Sequence, residues 1–364
     1  MTAHFAVLGA GLMGRLLAHQ LARRGHAVDL YERGPADGSS SAAHVAAAML
    51  APLAESVTSE PLVVHLGLAS LRRWPELLAL LPEPVFFQQN GTLILWHAQD
   101  RDQAHWFSTR LQEVDPELRK DQVRELRAGE IENLEPALGQ RFSRALYLEG
   151  EAQLDNRGLL EGLLRALEAS GVRLHWYTEL SPERAQGDFI VDCRGLGARP
   201  DWQALRGVRG EVVRVHSPEV ELRRPIRLLH PRYPIYIAPK PGGVYVIGAT
   251  QIEAEDHSPV SVRSALELLS ALYSVHPAFG EARILETAVQ CRPTLPDHLP
   301  EIRWDGRRLL QINGLYRHGY LIAPAVLDAA LALIEWLLED GRGGWESWHE
   351  YQSWAPIYRL SQPV

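Results

Sequence analysis

Gly9-Ala10-Gly11-Leu12-Met13-Gly14 has the residue types and spacing that most directly imply chemistry in this chain. Gly9 permits a tight turn, Gly11 lets a pyrophosphate approach the main chain, and Gly14 lets a helix pack closely on a strand. A helix opening here offers free N–H groups and partial positive charge to phosphates. Glu32 follows Gly14 by 18 positions, where a carboxylate can accept from a ribose hydroxyl. Far downstream, Arg292 sits in Cys291-Arg292-Pro293, just after the strand-like residues 287–290. A guanidinium there can grip a carboxylate through two parallel hydrogen bonds, although a surface ion pair is the commoner fate of an arginine.

These residues act together only if the chain positions them. Residues 4–8 predict a buried parallel strand. Residues 14–24 predict a helix with the stripe Leu16, Leu17, Leu21 and Ala22, closed by Gly25, and 27–31 a second strand. This strand–turn–helix–strand context separates the fingerprint from an ordinary glycine-rich turn. Residues 61–81 predict a helix broken near Trp74-Pro75, 82–96 a strand pattern, and 101–114 and 128–134 helices. An amphipathic helix over 156–171 leads to strands at 172–176 and 188–192. Strands at 211–216, 235–239 and 244–249 are separated by turn signals such as Pro241-Gly242-Gly243, and a strand at 309–312 and a helix over 324–338 end the pattern. Alpha/beta segments thus frame β-rich ones. The expected fold class is α/β: a discontinuous Rossmann-like nucleotide-binding domain from 1–81, 140–205 and 300–364. Residues 82–139 and 206–299 form an inserted antiparallel or mixed β-sheet substrate domain.

Bulk properties narrow the function. A length of 364 residues suits about two domains. The formal net charge of −8 argues against nucleic acid or an anionic membrane surface as a partner. Cys193 and Cys291 form no CxxC pair, and the histidines show no metal-binding spacing, so no metal is expected. No uninterrupted apolar run reaches the roughly 18 residues of a membrane span. The first residues lack a basic leader, which makes the cytoplasm the expected compartment. The fingerprint alone does not separate FAD from NAD. Its place at the start of the chain, the interrupted nucleotide domain and the lack of a second such fingerprint favour FAD.

Four further segments carry a family resemblance: Ala46-Ala47-Ala48-Met49-Leu50-Ala51-Pro52, Arg209-Gly210-Glu211-Val212, Gln290-Cys291-Arg292-Pro293, and Asn313-Gly314-Leu315-Tyr316-Arg317-His318-Gly319. In this order and spacing the chain resembles the D-amino-acid oxidase family of FAD-dependent oxidoreductases, and within it the glycine oxidase branch. The resemblance spans nearly the whole chain. It implies that Ala47, Ala48 and Met49 pass the isoalloxazine, with Ala48 standing where glycine is usual; a tightly packed helix start is the alternative. It implies that Leu315, Tyr316, Arg317, His318, Gly319, Tyr320 and Leu321 carry backbone N–H groups toward the flavin N1–C2=O edge, and that Leu180 meets the adenine. Leu12, Met13, Arg33 and Gly195 complete the implied cofactor contacts. Arg292 takes the substrate carboxylate, Tyr236 donates its hydroxyl, Arg317 borders the site and Met49 faces it. Tyr236 reads equally as a packed strand tyrosine.

The implied activity is oxidative deamination of glycine, sarcosine or a small D-amino acid with non-covalent FAD. Hydride passes to flavin N5, giving a 2-oxo acid, ammonia and, with molecular oxygen, hydrogen peroxide. No residue is expected as a general base. The alternatives are a D-amino-acid dehydrogenase or secondary-amine oxidase of the same family and, more remotely, an NAD-dependent dehydrogenase. The family's tendency to self-associate makes a homo-oligomer an expectation.

Overall fold

Phe5, Ala6, Val7 and Leu8 are each at most 1 % exposed, which is why His4–Leu8 reads as a continuous apolar run. In the computed structural model, which describes residues 2–339, 344–350 and 352–361, this strand is flanked by parallel neighbours on both sides. It lies inside a seven-stranded sheet in the order Tyr358–Leu360, Glu301–Trp304, Leu309–Asn313, Phe189–Asp192, His4–Leu8, Ala27–Tyr31, Arg173–His175. Only the Glu301–Trp304/Leu309–Asn313 pair is antiparallel. Helices Leu12–Arg23, Pro61–Leu78, Asn156–Ala169 and Gly319–Leu338 supply the apolar side chains that close this sheet into the largest core.

An eight-stranded sheet runs Arg283–Thr294, Arg206–His216, Val244–Gly248, Ile235–Lys240, Ile226–Leu229, Thr92–Trp96, Arg144–Leu148, Val123–Arg127. It is antiparallel except where Ile226–Leu229 lies parallel to Thr92–Trp96. Arg144–Leu148 therefore pairs inside this sheet, although a boundary drawn at residue 140 assigns it to the nucleotide portion. Helix Val262–Val275 packs Leu268, Ala271, Leu272 and Val275 into this second core. A small sheet, Met49–Leu50, Ala152–Leu154 and Phe87–Gln88, joins the two parts.

Two helices differ from the sequence reading, and one set of bonds accounts for the second. The helix from Pro61 does not break at Trp74-Pro75 but continues to Leu78. The last helix begins at Gly319 rather than Pro324 and carries Pro324 within it. Proline lacks the N–H that would reach the carbonyl four residues back. That carbonyl, Tyr320 O, instead accepts from the buried Trp74 indole at 3.0 Å, and Ala325 N donates to Ser70 Oγ at 3.0 Å. Side chains of the Pro61–Leu78 helix thus repair the ladder of the last helix. An 18-residue window within Tyr316–Leu338 averages 2.0 in hydropathy despite two acids, long and apolar enough to cross a membrane by length and composition. In the structure 72 % of that window is buried inside the protein, as a core helix would be.

Candidate active site

The glycine fingerprint folds as its spacing requires. Gly9 adopts φ +90°, and a Cβ there would lie 2.7 Å from the Cys193 carbonyl oxygen. A Cβ on Gly14 would overlap the Gly9 carbonyl, so Gly14 packs behind the loop and does not face the cavity. At Gly11 a Cβ would meet nothing nearer than Ser41 Cβ at 3.9 Å, which leaves open space directly above the main chain. Helix Leu12–Arg23 starts there with no side-chain cap and no acid in its first turn. Its free N–H groups therefore point into the opening without a competing anion. Glu32 accepts from Ala10 N at 2.7 Å and Gly34 N at 2.8 Å, bracing the fingerprint loop against the next one. Each oxygen keeps a further lone pair for a ribose hydroxyl.

The opening leads into a cavity of about 900 Å³. Gly9, Gly11, Leu12, Met13, Glu32, Arg33 and Leu180 line one end, while Ala47, Ala48, Met49, Gly195 and 315–321 line its middle. Ala48 holds φ +52°, a left-handed conformation that glycine adopts more easily, which explains the glycine usual there. Gly319, Tyr320 and Leu321 form the first turn of the last helix, not a loop before it.

Tyr236 and Arg292 line the far end, and the sheet register explains their meeting. Ile94, Arg227, Tyr236, Gly248, Val212 and Ala288 stand opposite one another across successive strands and share one face. Arg292, four residues beyond Ala288, falls on that face because side chains alternate. Glycines make room for both groups. A Cβ on Gly210 would fall inside the Arg292 guanidinium, and one on Gly248 would lie 2.5 Å from the Tyr236 hydroxyl. Arg292 donates only to main-chain carbonyls, Arg209 O at 3.3 Å and Thr250 O at 3.2 Å, and pairs with no described carboxylate. Burial pulls its pKa down, and burial likewise pushes that of Tyr236 up. The site thus holds a desolvated cation that lacks an anion.

Arg317 also lines the cavity, but its guanidinium is engaged. It donates to Thr58 Oγ1 at 2.6 Å and Ser59 Oγ at 3.2 Å, and pairs with Glu55 at 3.1 Å. Glu55 and Arg227 were not among the residues singled out from sequence. Glu55 also pairs with Arg227 at 3.2 Å and lies 3.6 Å from His318 Nδ1. Burial alone would raise Glu55, but the charges of Arg317 and then Arg227 outweigh it and hold the carboxyl at about 2. His318 is pushed down to about 4, first by burial and then by Arg317 and Arg227 against the pull of Glu55. Neither Glu55 nor Arg227 sits in a local sequence motif. Glu55 Oε2, His318 Nδ1 and the Tyr316 hydroxyl, all on the cavity wall, are buried without a hydrogen-bond partner.

An open phosphate cradle at one end, small residues along the middle and an unpaired guanidinium at the other define a dinucleotide-dependent redox enzyme. The chain belongs to the DAO family of FAD dependent oxidoreductases, whose model matches residues 4–330. It is 42 % identical over 320 residues, 88 % of this chain and 93 % of the other, to the Rhizobium etli protein that carries the name thiamine biosynthesis oxidoreductase ThiO. It is 28 % identical over 344 residues to the glycine oxidase of Geobacillus kaustophilus, covering 88 % and 89 % of the two chains. A crystal structure of glycine oxidase from that organism superposes with a TM-score of 0.78 at 27 % identity, covering 92 % and 95 %. The protein is an FAD-dependent oxidoreductase of the glycine oxidase and D-amino-acid oxidase type. The room over Gly11 and the uncapped helix start fit the cofactor's pyrophosphate.

Proposed function

We propose that this enzyme oxidatively deaminates a small amino acid: glycine, sarcosine or a small D-amino acid. The observation that carries the reading is Arg292, a cation without a counter-ion on the cavity wall beside Tyr236. Bound FAD would supply a two-electron acceptor for the hydride of the substrate α-carbon, with molecular oxygen as the final acceptor and hydrogen peroxide as its product. Gly9, Gly11, Leu12 and Met13 hold the pyrophosphate, Glu32, Arg33 and Leu180 the adenosine. Ala47, Ala48, Met49 and Gly195 would bound the ring, and the first turn at Gly319 would offer its partial positive charge to the reduced ring. Arg292 binds the substrate carboxylate with the Tyr236 hydroxyl beside it, which fixes the α-carbon; orientation of this kind carries much of the rate. Water then hydrolyses the imine to a 2-oxo acid and ammonia, or methylamine where the substrate is sarcosine.

We hold the cofactor to be bound non-covalently. The Cys291 thiol donates to Asp256 O at 3.5 Å, and burial pushes the Cys193 thiol well above its ordinary range, so neither offers a ready thiolate. The relatives' names, glycine oxidase and ThiO, support a small amine-bearing substrate. The test is an anaerobic visible spectrum of the purified protein with glycine, sarcosine and D-alanine in turn. Bleaching that reverses in air is the expected result. Bleaching that persists in air identifies a dehydrogenase, and no bleaching with any of the three overturns the substrate class.

A further inference from the structure

The substrate end of the cavity carries more positive charge than a zwitterion needs. Arg227, Arg292 and Arg317 line it, and the charges that act on Tyr236 there are Arg292, Glu55 and Arg227. His318 is held neutral above about pH 4, so it adds nothing near neutrality. An α-amino acid with an uncharged side chain has no net charge. It would satisfy Arg292 and leave the Glu55 trio with a surplus cation.

The three arginines are not equivalent. Arg317 spends its outer nitrogen on Glu55, Thr58 and Ser59. Arg227 donates Nη1 to Ala54 O at 2.7 Å and faces Glu55 through Nη2. That leaves its Nε–H and one outer N–H on each terminal nitrogen without a described acceptor, since a guanidinium has five donors. Arg227 and Tyr236 are direct cross-strand partners, so Arg227 stands beside the tyrosine on the substrate face. The Arg292 guanidinium lies over Gly210, on a strand three places away in the order Arg206–His216, Val244–Gly248, Ile235–Lys240, Ile226–Leu229. At about 4.8 Å per strand the two backbones are roughly 14 Å apart. An α-amino acid with an uncharged side chain brings one carboxylate, which can pair with one of these guanidiniums and leaves the other without a substrate anion. A second acid group further along the molecule can pair with that other.

We propose that the preferred substrate is an amino acid bearing a second carboxylate, held by Arg292 at its α-carboxylate and read by Arg227 at its distal acid. The proposal rests on the amino-acid reading above. Glu55 and Ala54 O anchor the guanidinium through Nη2 and Nη1, so the distal acid meets donors held in place.

The test compares isosteric pairs, D-aspartate with D-asparagine and D-glutamate with D-glutamine, by anaerobic flavin bleaching and by kcat/KM. Each pair differs in charge and scarcely in size. The acid is expected to exceed its amide by roughly tenfold or more, the worth of one charge-assisted contact. Arg227→Met should collapse that ratio toward one, and Arg227→Lys should restore part of it. Amides that match or exceed their acids overturn the proposal while leaving amino-acid oxidation standing, provided glycine or D-alanine still bleaches the flavin. A loss in Arg227→Met that is equal for acids, amides and glycine also overturns it, since a general collapse of the pocket moves every substrate alike. No bleaching by any amino acid removes the parent reading as well.

Discussion

The two ends of the cavity are built from different material. The phosphate end is main chain: glycines at 9, 11 and 14, and the uncapped start of Leu12–Arg23. The substrate end is side chain: Arg227, Tyr236 and Arg292 from three strands and Glu55 from the short helix Pro52–Ser56. Main-chain recognition needs residues a few positions apart, so its chemistry is written as a local motif. Side-chain recognition across a sheet needs register, and residues that share a face can be more than a hundred positions apart. The phosphate end is therefore common to many dinucleotide enzymes, whereas the substrate end is where this chain is particular.

The sharpest way to break the comparison is to put a side chain where the phosphate end has none. Gly14→Val places a Cβ on the Gly9 carbonyl and drives helix from strand. We expect a cost of about 3 kcal/mol, the upper range for overpacking, or roughly a hundredfold weaker FAD binding. Fluorimetric titration of the apoprotein measures it. Gly11→Ala is the contrasting variant, because its Cβ enters open space. It should weaken FAD while leaving the melting temperature of the apoprotein as it was. Equal loss of apoprotein stability in both variants would show that Gly11 serves packing too.

At the other end, Arg292→Met should spare the cofactor and strike the substrate. Removing a charge-assisted hydrogen-bond donor is worth about 2–3 kcal/mol, so KM for glycine should rise by roughly thirty- to a hundred-and-fortyfold. FAD affinity should stay within about twofold, since additive sites do not share partners. Stopped-flow bleaching and flavin titration on one sample separate the two. An Arg292→Met protein with normal KM would remove the carboxylate clamp, and one that loses FAD would erase the division between the two ends.

How far the sequence could be read follows the same division. His4–Leu8, Ala27–Tyr31 and Glu32 stand where the apolar runs placed them, because each strand is defined by its own side chains. Helix Val262–Val275, outside the elements expected above, carries a local signal. Ser261 caps it by accepting from Ser264 N at 3.1 Å, and Leu268, Ala271, Leu272 and Val275 keep helical spacing. Pro324 misled because it reads as a helix start, and nothing within the segment shows that Trp74 and Ser70 satisfy the groups it frees. Glu55 and Arg227 were out of reach for a stronger reason. Neither sits in a local motif, and only the fold reveals that they face one another across 172 positions. Arg317 was placed at the site, yet its commitment to Glu55 depends on that same distant contact.

The smallest expected effect concerns His318, which lies at the boundary between the two ends. Glu55, Arg317, Arg227 and His298 act on it electrostatically, and Ser59 Oγ stands 3.3 Å from Nε2. Its folded pKa of about 4 lies below its ordinary 6.5, so the folded state disfavours the proton. A depressed pKa of this kind contributes stability that is whole above the unfolded value and is lost as pH falls through the folded one. The window is therefore pH 6.5 down to 4. His318→Asn removes the titrating group, so its melting temperature should fall less steeply across that window, by about a few degrees in total. Glu55, held at about 2, keeps its charge throughout this range and does not mask the difference. Parallel curves for the two proteins would mean that His318 titrates normally. The cavity wall beside Arg317 would then take up a second positive charge near pH 6, and the contrast between a neutral cofactor end and a charged substrate end would blur there.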